Sequence, residues 1–318
     1  MIIKPPKQRI RWEANRIIKK AIEDKVLLDK HKDLKPEEII AIFNPALLEY
    51  LNSIYSYDNH CSIKIYRITS DEKNKILEKI KNEEEINKLK DYPKIFDEEE
   101  IELNERYLSK IDELNDYHRF WYISFKQGKY SFGFNQEKTY IATIRENVFM
   151  YDNLLILRSQ ANNLPNLRDA FIADFGINKA ELLDLTHIDL LSLFDKLKQT
   201  NKNCEIKTSE ITKENPISGV PAHCITFSEP LNDDIEEFDE EDETAQMINE
   251  AQNLAKSYNY CFTDTSGYKE CAKISINKTN KHIRILKKIS DIAIFNLAKE
   301  VERAYNEMQQ NLSNISNI

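Results

Sequence analysis

YHRFWYISFKQGKYSFGFNQEKTYIATIRENVFMYDNLLILRS, residues 117–159, alternates apolar and polar side chains between short turn signals. A period of two with heavy aromatic content marks strands that bury one face. Trp121, Ile123 and Phe125 alternate with Tyr122 and Ser124, and Lys126-Gln127-Gly128-Lys129 predicts a hairpin turn before Tyr130, Phe132 and Phe134. These alternating aromatics read as sheet core rather than as a base-stacking platform. Residues 140–144 and 148–150 form the next predicted pair. Asp152-Asn153 then turns the chain into Leu154, Leu155, Ile156 and Leu157, whose continuous apolarity suits a central strand. The stretch therefore predicts an antiparallel meander.

Working outward toward the C-terminus, Pro165 opens a predicted helix carrying Leu167, Phe171 and Ile172, and Gly176 supplies its stop. A second helix is expected over residues 189–198, strands over 205–211 and 223–227, and a helix over 244–258. Ala272, Ile274 and Ile276 predict a strand that turns at 277–280 and returns through Ile283 and Ile285. Ala293, Leu297, Val301, Ala304 and Tyr305 line one side of a last helix, followed by an Asn-rich tail expected to fray. Residues 138–177 and 268–305 share the order strand, turn, strand, helix, which suggests a repeated ββα unit.

Toward the N-terminus, Ala14, Ile18, Ile22 and Val26 recur at steps of four, the period of an amphipathic helix. Pro36 after Asp33 and Pro45 after Asn44 predict two further helix starts. Cys61, Ile63 and Ile65 alternate with Ser62, Lys64 and Tyr66 as a strand. Residues 71–116, rich in Glu and Lys and divided by Pro93, predict two charged helices with Ile76, Ile80, Leu108 and Ile111 as their apolar positions. The expected fold class is α+β: a helical N-terminal part, a central antiparallel meander with flanking helices, and a C-terminal ββα-like part. The expected division is residues 1–116 and 117–318.

The totals bound the function classes. A chain of 318 residues with 41% hydrophobic and 31% charged residues is globular with a strongly charged surface. No run of 18 apolar residues occurs, and the opening MIIKPPKQRIRW lacks a signal-peptide core. Cytoplasmic residence without membrane contact is therefore expected. Five cysteines without a CxxC pair predict buried or free thiols. Five isolated glycines provide neither GxGxxG, GxxxxGK[ST] nor GxSxG, and no HExxH or close His/Cys cluster appears. No cofactor and no metal are expected from these patterns.

Charge distribution is more informative than the net −9. Lys4, Lys7, Arg9, Arg16 and Lys20 near the start, with Lys281, Arg284 and Lys287 near the end, are candidate contacts to nucleic-acid phosphates. Asp233, Asp234, Glu236, Glu237, Asp239, Glu240, Glu241 and Asp242 form an acidic run. It reads as a solvated surface loop, with two sharper alternatives: a docking site for a basic protein partner, or a mimic of nucleic acid that shields the basic segments. The sole pattern with catalytic character is Glu205-Ile206-Lys207, whose acid and base project to one face of a strand. With Asp189 or Asp195 it could hold Mg²⁺ for phosphodiester cleavage. The expected function is thus a non-catalytic binding protein or assembly subunit that contacts nucleic acid. A metal-dependent nuclease and a purely protein–protein interaction module are the alternatives.

Overall fold

The computed structural model describes residues 61–90, 105–114, 117–131, 137–200, 204–214, 221–231, 253–263, 269–286, 289 and 291–316. The helices expected before residue 61, the acidic run at 233–242, and Lys287 lie outside them.

The described elements are β1 (Cys61–Arg67), α1 (Ser70–Lys81), α2 (Glu83–Leu89), β2 (Arg106–Leu114), β3 (Tyr117–Ser131), β4 (Glu137–Tyr151) and β5 (Leu154–Ser159). They continue with α3 (Leu164–Phe175), β6 (Leu183–Asp184), α4 (Leu190–Thr200), β7 (Cys204–Glu214), β8 (Pro221–Leu231), β9 (Asn253–Thr263), β10 (Lys269–Asn277), β11 (Ile283–Ile285) and α5 (Asp291–Ser316). Together they make a mixed α+β fold. The strands form one sheet in the order β2-β3-β4-β5-β1-β11-β10-β9-β7-β8, with β6 pairing β1. Every described pairing is antiparallel.

β1 joins two arms, because it pairs β5 along one edge and β11 along the other. On one side β3, β4 and β5 lead into α3; on the other β9, β10 and β11 lead into α5. Antiparallel pairing to β1 makes β5 and β11 run in the same direction. Their helices pack on opposite faces of the sheet. The two ββα units are therefore related approximately by a two-fold axis along β1.

Alternation in each strand divides the core. Ile63, Ile65, Phe149, Ile156, Tyr258, Tyr260, Ile274 and Ile276 point to the first face, where Leu193, Phe194 and Leu197 of α4 and Ala293, Leu297 and Val301 of α5 cover them. Tyr66, Phe120, Tyr122, Val148, Met150, Leu155 and Leu157 point to the second face, under Ile76 of α1, Ile86 of α2 and Leu167, Phe171 and Phe175 of α3. β5 is buried on both sides along its whole length, as its apolarity predicts.

Local chemistry sets the helix ends. The Thr69 side chain accepts from Glu72 N–H, and that of Asn82 accepts from Glu85 N–H. Pro165 lies in the first turn of α3, and Gly176 ends it at φ 63°. Asp189 accepts from Leu191 N–H at 3.1 Å and from the Ser192 hydroxyl at 2.6 Å, which holds the start of α4.

Five expectations need correction. The predicted turn at 126–129 does not form: β3 stays paired with β4 from Tyr117↔Tyr151 to Ser131↔Glu137, so Gly128 is a strand residue opposite Tyr140. A lone glycine imitates a turn, but the long ladder overrides it. The expected break between 140–144 and 148–150 is likewise absent. Residues 106–114 are a strand rather than a helix, because a bulge between Leu108 and Lys110 shifts the register and lets Leu108 and Ile111, three apart, meet the same core. Residues 253–263 are also a strand, since pairing with β7 and β10 outweighs the helical preference of its Ala and Lys. Finally, α5 continues to Ser316 through much of the expected fraying tail.

Candidate functional site

Among the described residues, the core on the second face is built over the β2–β5 arm and β1, and none from β7, β9, β10 or β11 joins it. The register explains what occupies the other arm. Ile274, Ile276, Ile283 and Ile285 point to the first face, which sends Lys273, Ser275 and Arg284 to the second. One cross-strand row runs Ser62, Arg284, Ser275, Ser257 and Glu210. The next runs Lys273, Asn259 and Lys207, and the one after it Cys271, Cys261 and Glu205. His282 and Lys64 lie one step beyond Arg284 and Ser62. The result is a largely polar sheet face of Lys, Arg, Ser and Asn that also carries Glu205, Glu210 and the Cys261 and Cys271 positions.

Its charges are partly paired. Lys64 Nζ lies 2.7 Å from Asp184. Glu205 holds Lys207 at 2.5 Å and Lys269 at 2.6 Å, and Lys273 lies 2.5 Å from Glu210. Four cations, Lys64, Lys207, Lys269 and Lys273, thus meet three carboxylates, Asp184, Glu205 and Glu210, and Arg284 adds a fifth positive charge. Arg284 is exposed and has no carboxylate partner among the described residues.

Titration behaviour follows the same field. Burial disfavours the charge on Lys64, yet the hydrogen bond and charge of Asp184 outweigh it and hold the lysine pKa above its ordinary value. The pKa of His282 is lowered by burial first and then by the charges of Lys64 and Arg284. Glu205 is held below the usual carboxylate range by hydrogen bonds from Lys207 and Lys269. Across the sheet from this face, burial pushes the Cys204 thiol up to about 12, which leaves it a poor nucleophile.

Cys261 and Cys271, expected as thiols, instead form a disulfide between directly opposed positions of β9 and β10, with Cα atoms 4.1 Å apart. The hairpin pairing brings them together, a relationship that spacing in sequence does not display. Cys61 and Cys204 are free.

Of the residues singled out from sequence, Arg284, Glu205 and Lys207 share this face. Lys281 is half-buried and donates to the Ile188 carbonyl at 3.4 Å, which ties it to the segment before α4. Lys4, Lys7, Arg9, Arg16, Lys20, Lys287 and the acidic run are outside the described residues. Asp189 caps α4, and Asp195 on α4 accepts from Lys256 at 3.2 Å and the Tyr258 hydroxyl at 3.1 Å on the first face. The sheet therefore separates Asp195 from Glu205. Among the described residues, no group of three or more His, Cys, Asp or Glu could hold a metal ion. No described helix is long and apolar enough to cross a membrane.

Sequence reasoning did not single out Lys64, Lys273 and His282. The available signal was the alternation in KECAKISIN, residues 269–277, whose polar half matters once its neighbours in the sheet are known. No protein-family model matches the sequence, and no curated protein matches it either.

Proposed function

We propose that this protein is a non-catalytic binding protein that engages the phosphate backbone of nucleic acid through the polar face of the β1-β11-β10-β9-β7 arm. The observation that supports the reading is the placement of Lys64, Arg284, Lys273 and Lys207 on one sheet face, where Ser62, Ser275, Ser257 and Asn259 stand among them. Such a surface suits phosphates, since it offers charge-assisted donors and no aromatic platform among its described side chains. The basic residues Lys4, Lys7, Arg9, Arg16, Lys20 and Lys287 would extend it, and the acidic run at 233–242 would compete with a polyanion or receive a basic protein partner. Cytoplasmic residence belongs to the same proposal.

Binding of oligonucleotides should weaken steeply with salt, because each phosphate contact releases condensed counterions. Replacing both Arg284 and Lys273 by Glu should reduce affinity at low salt by about tenfold or more and flatten the salt slope. Unchanged affinity in the double variant, or no binding by the unaltered protein at low salt, would reject the reading. Mg²⁺-dependent cleavage that disappears in Glu205→Gln would instead favour the nuclease.

A further inference from the structure

Arg284 differs from the other cations of the polar face. Lys64, Lys207, Lys269 and Lys273 each contact a carboxylate, so an incoming anion must displace Asp184, Glu205 or Glu210 to reach them. Arg284 carries no such competitor among the described residues and is exposed. Its cross-strand neighbours, Ser62 and Ser275, are short, so no bulky side chain stands beside its guanidinium in that row. His282 lies two positions away, just before β11 and half-buried, and burial together with the charges of Lys64 and Arg284 lowers its pKa.

We propose that Arg284 and His282 form a phosphate subsite, with Lys64 as the flanking cation, and that this subsite makes nucleic-acid binding tighten as His282 takes up a proton. The inference rests on the nucleic-acid reading above. A guanidinium and an imidazolium both donate to phosphate oxygens, and either bond is charge-assisted.

The charged groups around His282 define the sign. Lys64 on β1 and Arg284 on β11 repel a proton from its ring, whereas Asp184 on β6 is engaged by Lys64. Lys281, its neighbour in sequence, points its ammonium to the Ile188 carbonyl. The free protein therefore holds His282 neutral near neutral pH. A bound phosphate offsets the two cations, so its negative charge draws the proton back. Phosphodiesters stay ionised throughout this range, which assigns the response to the protein.

The test uses the full chain and a short oligothymidylate at low salt, with binding measured at about pH 7.5 and about pH 5.5. The unaltered protein should bind about tenfold more tightly at the lower pH. His282→Asn should lose most of that gain. Arg284→Ser should weaken binding at both. The His282 imidazole resonance, followed by NMR, should titrate at higher pH with oligonucleotide bound than without. A pH gain unchanged in His282→Asn, or a His282 midpoint that does not move on binding, overturns the subsite while leaving the nucleic-acid reading intact. Absence of oligonucleotide binding by the unaltered protein removes both.

Discussion

Asp291 shows how one buried charge organises its surroundings. It opens α5, where the exposed N–H groups favour a negative side chain. Its two oxygens meet Arg119 at 3.1 Å and Arg158 at 3.4 Å. Arg119 also lies 3.4 Å from Asp112 and stacks over Trp121 at 4.7 Å. All of these side chains, Trp121 at 8% included, are at most 9% exposed. Removing one partner of a buried set leaves the others uncompensated, which costs about 3–5 kcal/mol. Asp291→Ala should lose stability of that order in urea unfolding, and a loss below about 1 kcal/mol would show that solvent already screens the cluster. Gly176 makes a smaller demand. A Cβ there would meet nothing within 4 Å, so the cost of Gly176→Ala is the left-handed φ of 63° alone, about 1–2 kcal/mol.

At the scale of elements, α3 was legible to within a residue or two, because proline, apolar spacing and glycine all agree on it. β2 and β9 were not. In β2 the bulge between Leu108 and Lys110 turns a spacing of three, helical by pattern, into two contacts on one strand face. In β9 the sequence NLAKSYNYCFT has no strong local preference, and two neighbouring strands decide its conformation. The β9–β10 hairpin also carries the Cys261–Cys271 bridge. Reduction before alkylation should therefore add two labelled cysteines compared with alkylation of the denatured, unreduced chain. Peptide mapping should assign both to residues 261 and 271; no added label would remove the bridge.

At the scale of the whole molecule, β1 is the hinge of the architecture. It joins an arm whose second face is covered by helices to an arm whose second face is polar, and the approximate two-fold axis along it places α3 and α5 on opposite sides. That asymmetry creates the candidate site. The first arm has Val148, Met150, Leu155 and Leu157 on its second face, so α3 packs there. The second arm has Lys273, Ser275, Asn259 and Lys207 in the equivalent layer, and the same packing would take charged and polar groups out of water at a high cost.

The candidate site was legible only in part. Arg284, Glu205 and Lys207 stand out by charge or spacing, whereas Lys64 is more than two hundred residues from Arg284 and gains meaning only beside it. By itself, the sequence determined what short-range physics controls: the antiparallel strand character of residues 117–159 though not the turn between its strands, the buried strand at 154–159, the helix ending at Gly176, and the apolar stripe of α5. Tertiary structure alone decided the strand register. That register turned residues 106–114 and 253–263 into strands, joined Cys261 to Cys271, and gathered basic side chains from β1, β7, β10 and β11 onto one face. The reason is that strand pairing draws its free energy from partners distant in the chain, so no local pattern can specify which side chains will become neighbours.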